Sequence, residues 1–190
     1  LNNDNNNATQ LNNNTNSTNY KNSINSSTFQ LTLIEANPFG NGGALALIST
    51  SAGCVVKAEG LIIINNFAEA AGGGLYSQGS SFVAKRVANR TVSLLIENNK
   101  ATLGGNVYIS KSGFNTTAIS DMKKISSIPM FSIVKGISIK DGGGIACVGS
   151  TLHLENTEIG HNSASYSGGG IFGVLCMLES ISSLVHMNDA

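Results

Sequence analysis

Apolar and polar residues alternate along Phe29-Gln30-Leu31-Thr32-Leu33-Ile34, which predicts a half-buried strand and places the start of the folded region at Phe29. Beyond it one arrangement recurs. A short apolar strand is followed by Asn, a small residue, a glycine cluster and a further aliphatic. The clearest copies cover residues 61–76 and 152–172, with a third at 94–108 and partial ones at Asn41-Gly42-Gly43-Ala44-Leu45 and Asp141-Gly142-Gly143-Gly144-Ile145. The aliphatics after the clusters, Leu45, Leu75, Val107, Ile145 and Ile171, set a register with spacings of 30, 32, 38 and 26 residues. Such drift fits stacked units whose extra residues leave as loops.

The repeat predicts an all-β chain, a right-handed parallel β-helix (a repeat solenoid) of about five rungs, built from residues 29–190. A β-sandwich or another repeat fold is the competing architecture. In a β-helix, rungs ~4.8 Å apart pair through parallel hydrogen bonds. Aliphatics such as Ile63, Leu95 and Leu154 are expected to stack inside, while Ala68, Ala101 and Ala164 fill positions too tight for more. Asn65, Asn98 and Asn156 are expected at turns, bonding from rung to rung. The clusters Gly72-Gly73-Gly74, Gly142-Gly143-Gly144 and Gly168-Gly169-Gly170 would serve tight corners with close backbone approach. A phosphate loop is the other reading of such glycines, but no Lys-Ser/Thr follows Gly74, and five recurrences argue for structure.

Composition sharpens this picture. The chain has 22 Gly, 2 Pro and no Trp, a strand-and-turn make-up. Eleven Lys and Arg balance eleven Asp and Glu, with only 12% of residues charged, which excludes a nucleic-acid partner of the phosphate-binding kind. The longest apolar run, around 170–178, is about half of what a membrane-spanning helix needs. Residues 1–28 form a low-complexity tract, with Asn at 12 of the first 25 positions. Having little to bury, this tract is expected to be a disordered tail, or else to cap the first rung through its Asn and Thr side chains. The chain opens on Leu1 and ends in Asn188-Asp189-Ala190, a copy that stops before its glycines, so a fragment or processed piece is expected.

The step Ile159-Gly160-His161-Asn162-Ser163-Ala164, followed by Gly168-Gly169-Gly170-Ile171, resembles the paired "Phe-x-x-Asn" and "Gly-Gly-Ala-Ile" repeats of polymorphic outer membrane proteins. These repeats are in turn similar to the wider pectin-lyase-like superfamily. Ile159 stands for the Phe and Gly170 for the Ala, whereas Gly42-Gly43-Ala44-Leu45 keeps the Ala form. The resemblance spans about 37–190 and implies an adhesin-like or stalk protein, extracellular or on a cell surface (the outer membrane if bacterial). Sequons at Asn7, Asn13, Asn16, Asn25, Asn89 and Asn115 would suit a secreted eukaryotic protein equally.

Pectin-lyase-like enzymes use clustered Asp residues, often with Arg or Lys. Here Asp121 and Asp141 stand alone, and Glu97 and Glu155, in similar columns, are the nearest approach to a carboxylate pair. No catalytic residue, cofactor or metal ligand is assigned. The histidines 153, 161 and 186 lack a metal-ligand spacing, and His153, between Leu152 and Leu154, should point outwards. Cys54, Cys147 and Cys176 fall at unequal offsets in the repeat, which leaves buried thiols and a disulfide both open. Insertions near 77–90 and 111–136 carry Lys85, Arg86, Lys123 and Lys124; leaving from one edge, they would form a mildly basic ridge for acidic surface glycans. Host or partner proteins are the other candidate ligands. End-to-end self-association through open rung edges is a further expectation. A polysaccharide-active enzyme or a carbohydrate-binding module is the alternative function.

Overall fold

The structure, a computed structural model, describes residues 26–30, 33–34, 40–49, 54–86, 92–117 and 130–190. Among these there is no helix, and every strand pairing is parallel. In chain order the strands are β1 (Ser26–Gln30), β2 (Leu33–Ile34) and β3 (Leu45–Ile48), then β4 (Cys54–Glu59), β5 (Leu61–Ile64) and β6 (Leu75–Gln78). Next come β7 (Ser80–Lys85), β8 (Leu94–Glu97), β9 (Lys100–Ala101) and β10 (Val107–Ser110), then β11 (Gly113–Thr117), β12 (Phe131–Val134), β13 (Ile137–Ser138) and β14 (Ile145–Val148). The last are β15 (Thr151–Glu155), β16 (Thr157–Gly160), β17 (Ser163–Ala164), β18 (Ile171–Val174), β19 (Met177–Ile181) and β20 (Leu184–His186).

Sheet A has the order β1-β4-β7-β11-β15-β19, sheet B β2-β5-β8-β12-β16-β20, sheet C β3-β6-β10-β14-β18 and sheet D β9-β13-β17. Each pass of the chain therefore runs through A, B and C in turn, three of the passes adding a strand of D between B and C, before returning to A one strand further along. β1 begins at Ser26, inside the tract assigned to the tail, because pairing with β4 uses backbone groups and does not need an apolar sequence. The remainder of that tract, residues 1–25, lies outside the described residues, as do Lys123 and Lys124.

The aliphatics that follow the glycine clusters are direct neighbours in sheet C: Leu45, Leu75, Val107, Ile145 and Ile171. In sheet B the core column is Ile63, Ile96, Ile133 and Ile159, all fully buried. Sheet A contributes Phe82, Phe114 and Leu152, with the two phenyl rings stacked at 5.4 Å. The expected stack of Ile63, Leu95 and Leu154 is corrected here. Leu95 is one residue out of phase and half-buried on the outer face, as a period of two requires. Leu154 is buried in sheet A instead.

The turn between sheets B and D carries the asparagines, in two adjacent columns. Asn65 and Asn98 take positive φ of 59° and 55° on the outside, and Asn98 Nδ2 donates to Asn65 Oδ1 at 2.7 Å. Asn156 lies at a different corner, between β15 and β16, with φ 51°, so it does not continue their column. The buried ladder is the next residue along. Asn66 donates from its backbone N–H to Asn99 Oδ1 at 2.8 Å, and Asn162 donates likewise to Asn188 Oδ1 at 3.0 Å.

Between these two pairs the register places Gly136 where an asparagine belongs, and Asn106 fills the gap. Its Oδ1 accepts from Asn99 Nδ2 at 2.9 Å, and its Nδ2 donates to Asn162 Oδ1 at 3.0 Å and to the Val134 carbonyl at 2.9 Å. Asn106 itself stands in the column of Gly74, Gly144 and Gly170, the third positions of the glycine clusters. An amide has thus been moved across the turn: the cluster gains an Asn and the ladder gains a Gly. A Cβ on Gly136 would come within 2.6 Å of Asn106 Nδ2.

The glycine corner is close-packed for a separate reason. Gly72 holds φ +66°, and Gly142 and Gly168 repeat it at +69° and +62°. At the middle position the passes touch: a Cβ on Gly73 would lie 2.2 Å from the Gly105 carbonyl oxygen, and the same contact recurs from Gly143 to Gly169.

The cysteines resolve in an unexpected way. Cys147 and Cys176 form a disulfide, with Cα atoms 6.2 Å apart. Their offsets differ because Cys147 lies within β14 and Cys176 in the corner after β18. The inward position opposite Cys147 is Gly173, whose missing side chain leaves room for Cys176 to reach across. Cys54 stands opposite Ser80 in the corner column that Ser112 and Ser150 continue through their hydroxyls.

Asn106 is buried with both ends of its amide bonded, so Asn106→Ala should cost about 1–3 kcal/mol for the unpaired donors and acceptors left behind. Ser110→Ala, at the half-buried end of the same strand, should stay within about 0.5 kcal/mol. Urea denaturation of the two variants beside the parent measures both.

Candidate functional site

Outward residues of sheet A enclose a recess of about 230 Å³ lined by Val55, Ser81, Val83, Gly113, Asn115, Thr151 and His153, with Phe82 and Phe114 beneath. The recess exists because Gly113 interrupts the outward column between Ser81 and Thr151, leaving their hydroxyls to flank an empty position. Its walls carry polar groups. Asn115 Oδ1 accepts from the Thr117 hydroxyl at 2.6 Å, and His153 Nδ1 lies 2.8 Å from a carboxylate oxygen of Glu179. His153 does point outwards, half-buried, between buried Leu152 and Leu154. Hydroxyls, an amide and an imidazole over an apolar floor suit a neutral, hydroxyl-rich ligand such as a sugar ring.

Lys85 is the next outward residue after Val83 on the same face, and Arg86 opens the connection to sheet B. The two long connections, 86–93 and 118–130, both run from sheet A to sheet B in adjacent passes, so they leave the same corner. They are shorter than the expected insertions of 77–90 and 111–136, because β6, β7, β11 and β12 occupy the flanks. Lys85 stands directly beside Glu59 in the register, which offsets part of the expected basic character. The Arg86 Nε is buried and has no hydrogen-bond partner among the described residues.

Glu97 and Glu155 do not share a surface: Glu97 ends a strand of sheet B, and Glu155 a strand of sheet A. The sequence joins two neighbouring strand-then-Asn segments in one pass, Leu152 to Asn156 and Thr157 to Asn162, and the first of them resembles residues 94–98 while the second shares their register. Glu97 instead pairs with the exposed Lys135 at 2.7 Å.

The cluster that sequence reasoning missed lies on sheet B. Glu158 accepts from the Ser132 hydroxyl at 2.9 Å through one oxygen, and its other oxygen lies 3.0 Å from His186 Nε2. The imidazole of His186 covers Gly160, where a Cβ would meet it at 2.7 Å, and its ring meets His161 edge-on at 5.2 Å. Burial pushes the Glu158 carboxyl up, but the hydrogen bonds from His186 and Ser132, with the charges of His186 and His161, outweigh this and hold it below its usual range. The register was the only route to this cluster, since Ser132 and His186 lie 26 and 28 residues from Glu158. Among the described residues no three His, Cys, Asp or Glu side chains gather as a metal site, and no helix is long and apolar enough to cross a membrane.

Compared with protein-family models, with curated proteins and with solved structures, the chain finds no match.

A carboxyl held low in the native state stabilises the fold above its unfolded-state value, and that contribution is lost as pH falls through the native value. Glu158→Gln should therefore lower the urea midpoint most near neutral pH. Its deficit against the parent should shrink as pH drops below the ordinary carboxylate range. A deficit that is constant with pH would contradict the assignment.

Proposed function

We propose that the chain is an extracellular or cell-surface protein whose passes form a right-handed parallel β-helix acting as an adhesin-like or structural stalk. The observation that carries this reading is the continuity of the columns. The same isoleucines, asparagines and glycine corners recur pass after pass, so each pass extends a rod by ~4.8 Å without a new fold element. The Cys147–Cys176 disulfide supports an oxidising compartment, where such bonds persist. Of the six sequons, Asn115 is the one among the described residues, and it lies on the outer face of sheet A. The likeness of the repeat steps to those of polymorphic outer membrane proteins points the same way.

The ligand-bearing region in this reading is the corner where connections 86–93 and 118–130 leave, with the adjoining face of sheet A. Acidic surface glycans are the expected ligands, drawn by Lys85, Arg86, Lys123 and Lys124. The recess at Gly113 favours a second reading, a carbohydrate-binding module, because hydroxyls and an amide flank an apolar floor there.

Binding to a glycan array separates these. On the first reading, sulfated or uronic glycans bind, and neutralising Lys85, Arg86, Lys123 and Lys124 together to Gln abolishes binding. On the second, neutral glycans bind, and Gly113→Val, which fills the recess, abolishes it. Release of new reducing ends from a bound polysaccharide would favour the polysaccharide-active alternative. No binding by the folded chain would contradict both ligand readings.

A further inference from the structure

Asn115, Thr116 and Thr117 form the acceptor pattern for an N-linked sugar, and they lie within β11. Strand alternation sends Phe114 and Thr116 into the interior, where the Thr116 hydroxyl meets that of Thr157 at 2.7 Å. Asn115 and Thr117 are left side by side on the outer face, half-buried, with Asn115 between Val83 and His153 of the neighbouring strands. The Thr117 hydroxyl donates to Asn115 Oδ1 at 2.6 Å. That bond turns the amide oxygen downstream along the strand. The amide is planar, so its Nδ2 is directed the other way, towards Gly113, and Nδ2 bonds to nothing among the described residues. Gly113 stands two residues upstream, about 6.6 Å along the strand, and there the recess opens. The nitrogen that would carry a sugar thus faces the recess.

We propose that Asn115 carries an N-linked glycan and that the recess at Gly113 is the bed of its first sugar. The sugar comes from a lipid-linked oligosaccharide activated as a diphosphate. Nδ2 attacks the anomeric carbon and a C–N bond forms. The bond from that carbon to the diphosphate oxygen breaks, the diphosphate keeps the electron pair, and the nitrogen loses one proton to the transferase. Folding then lays the linked ring over Gly113. At about 230 Å³ the recess is smaller than the ~300 Å³ at which drug-sized pockets begin, so it suits one ring and not a chain of them. Ser81 and Thr151 place their hydroxyls within 3.2 and 3.5 Å of where a Gly113 Cβ would lie, in reach of the ring hydroxyls. Val55 and Val83 offer apolar contact to a ring face or an acetamido methyl. The proposal rests on the extracellular reading. It replaces a site for free sugar, because the linked ring fills the same space.

The test is to direct the 190-residue chain into the secretory pathway of a eukaryotic cell with an added leader, recover it from medium and cells, and digest it with trypsin. The expected result is a glycopeptide of residues 112–123 in which enzymatic removal of the glycan converts Asn115 to Asp. Removal from the folded parent should be several-fold slower than from Gly113→Val, whose side chain fills the bed. Should Gly113→Val misfold, NMR of the parent trimmed to one sugar still decides: the ring protons should show contacts to Val83 and His153. An unmodified Asn115 overturns the proposal. So does a glycan released equally fast from both folded proteins, or a ring with no contact to either residue. The Cys147–Cys176 disulfide in the same digest judges the extracellular reading separately, so a bare Asn115 beside an intact disulfide sinks the glycan alone.

Discussion

An amide buried without partners costs about 1–3 kcal/mol, and this constraint governs the stacking of the passes. Asn66, Asn99, Asn106 and Asn162 are all essentially excluded from solvent, and each accepts from or donates to a neighbouring pass while also donating to a strand carbonyl. Such a bond is satisfied in one register only. Slipping a strand by one residue would break the ladder and turn the isoleucine column of sheet B out to water. The aliphatic core supplies most of the favourable burial, but aliphatic columns alone would tolerate shifts that the amides do not. The exchange between Asn106 and Gly136 illustrates the rule. The ladder keeps its amide at that level even though the residue that carries it has moved to the other side of the turn.

The same constraint decides where the chain is free to vary. Ladder asparagines fill the turn from sheet B to sheet D, and touching backbones fill the glycine corner before sheet C. Both long connections leave instead from the corner between sheet A and sheet B.

Much of the stacking was legible in the sequence, because the glycine clusters mark an unambiguous corner and the aliphatics behind them pair as their spacing implies. Phase was harder. The doublets Asn65-Asn66 and Asn98-Asn99 each offer two candidates, and only burial shows that the second of each pair is the interior one. Leu95 was misplaced by one residue, and in a strand one residue changes the face. The disulfide was hidden because spacing compares like positions, whereas Cys147 and Cys176 meet from unlike ones across the space left by Gly173. Of the candidate ligand residues, Lys85 lies at the end of strand β7 and not in a loop, and Glu59, 26 residues away, becomes its neighbour only through the register.

The most direct test of the ladder is hydrogen exchange at the asparagine side chains, followed by 15N-edited NMR. The Nδ2 protons of Asn99, Asn106 and Asn162 should exchange orders of magnitude more slowly than those of exposed Asn98, and should show contacts to side chains of the adjacent passes. If all four exchange alike, at the rate of a solvated amide, the interior ladder does not exist and the account of the stacking fails.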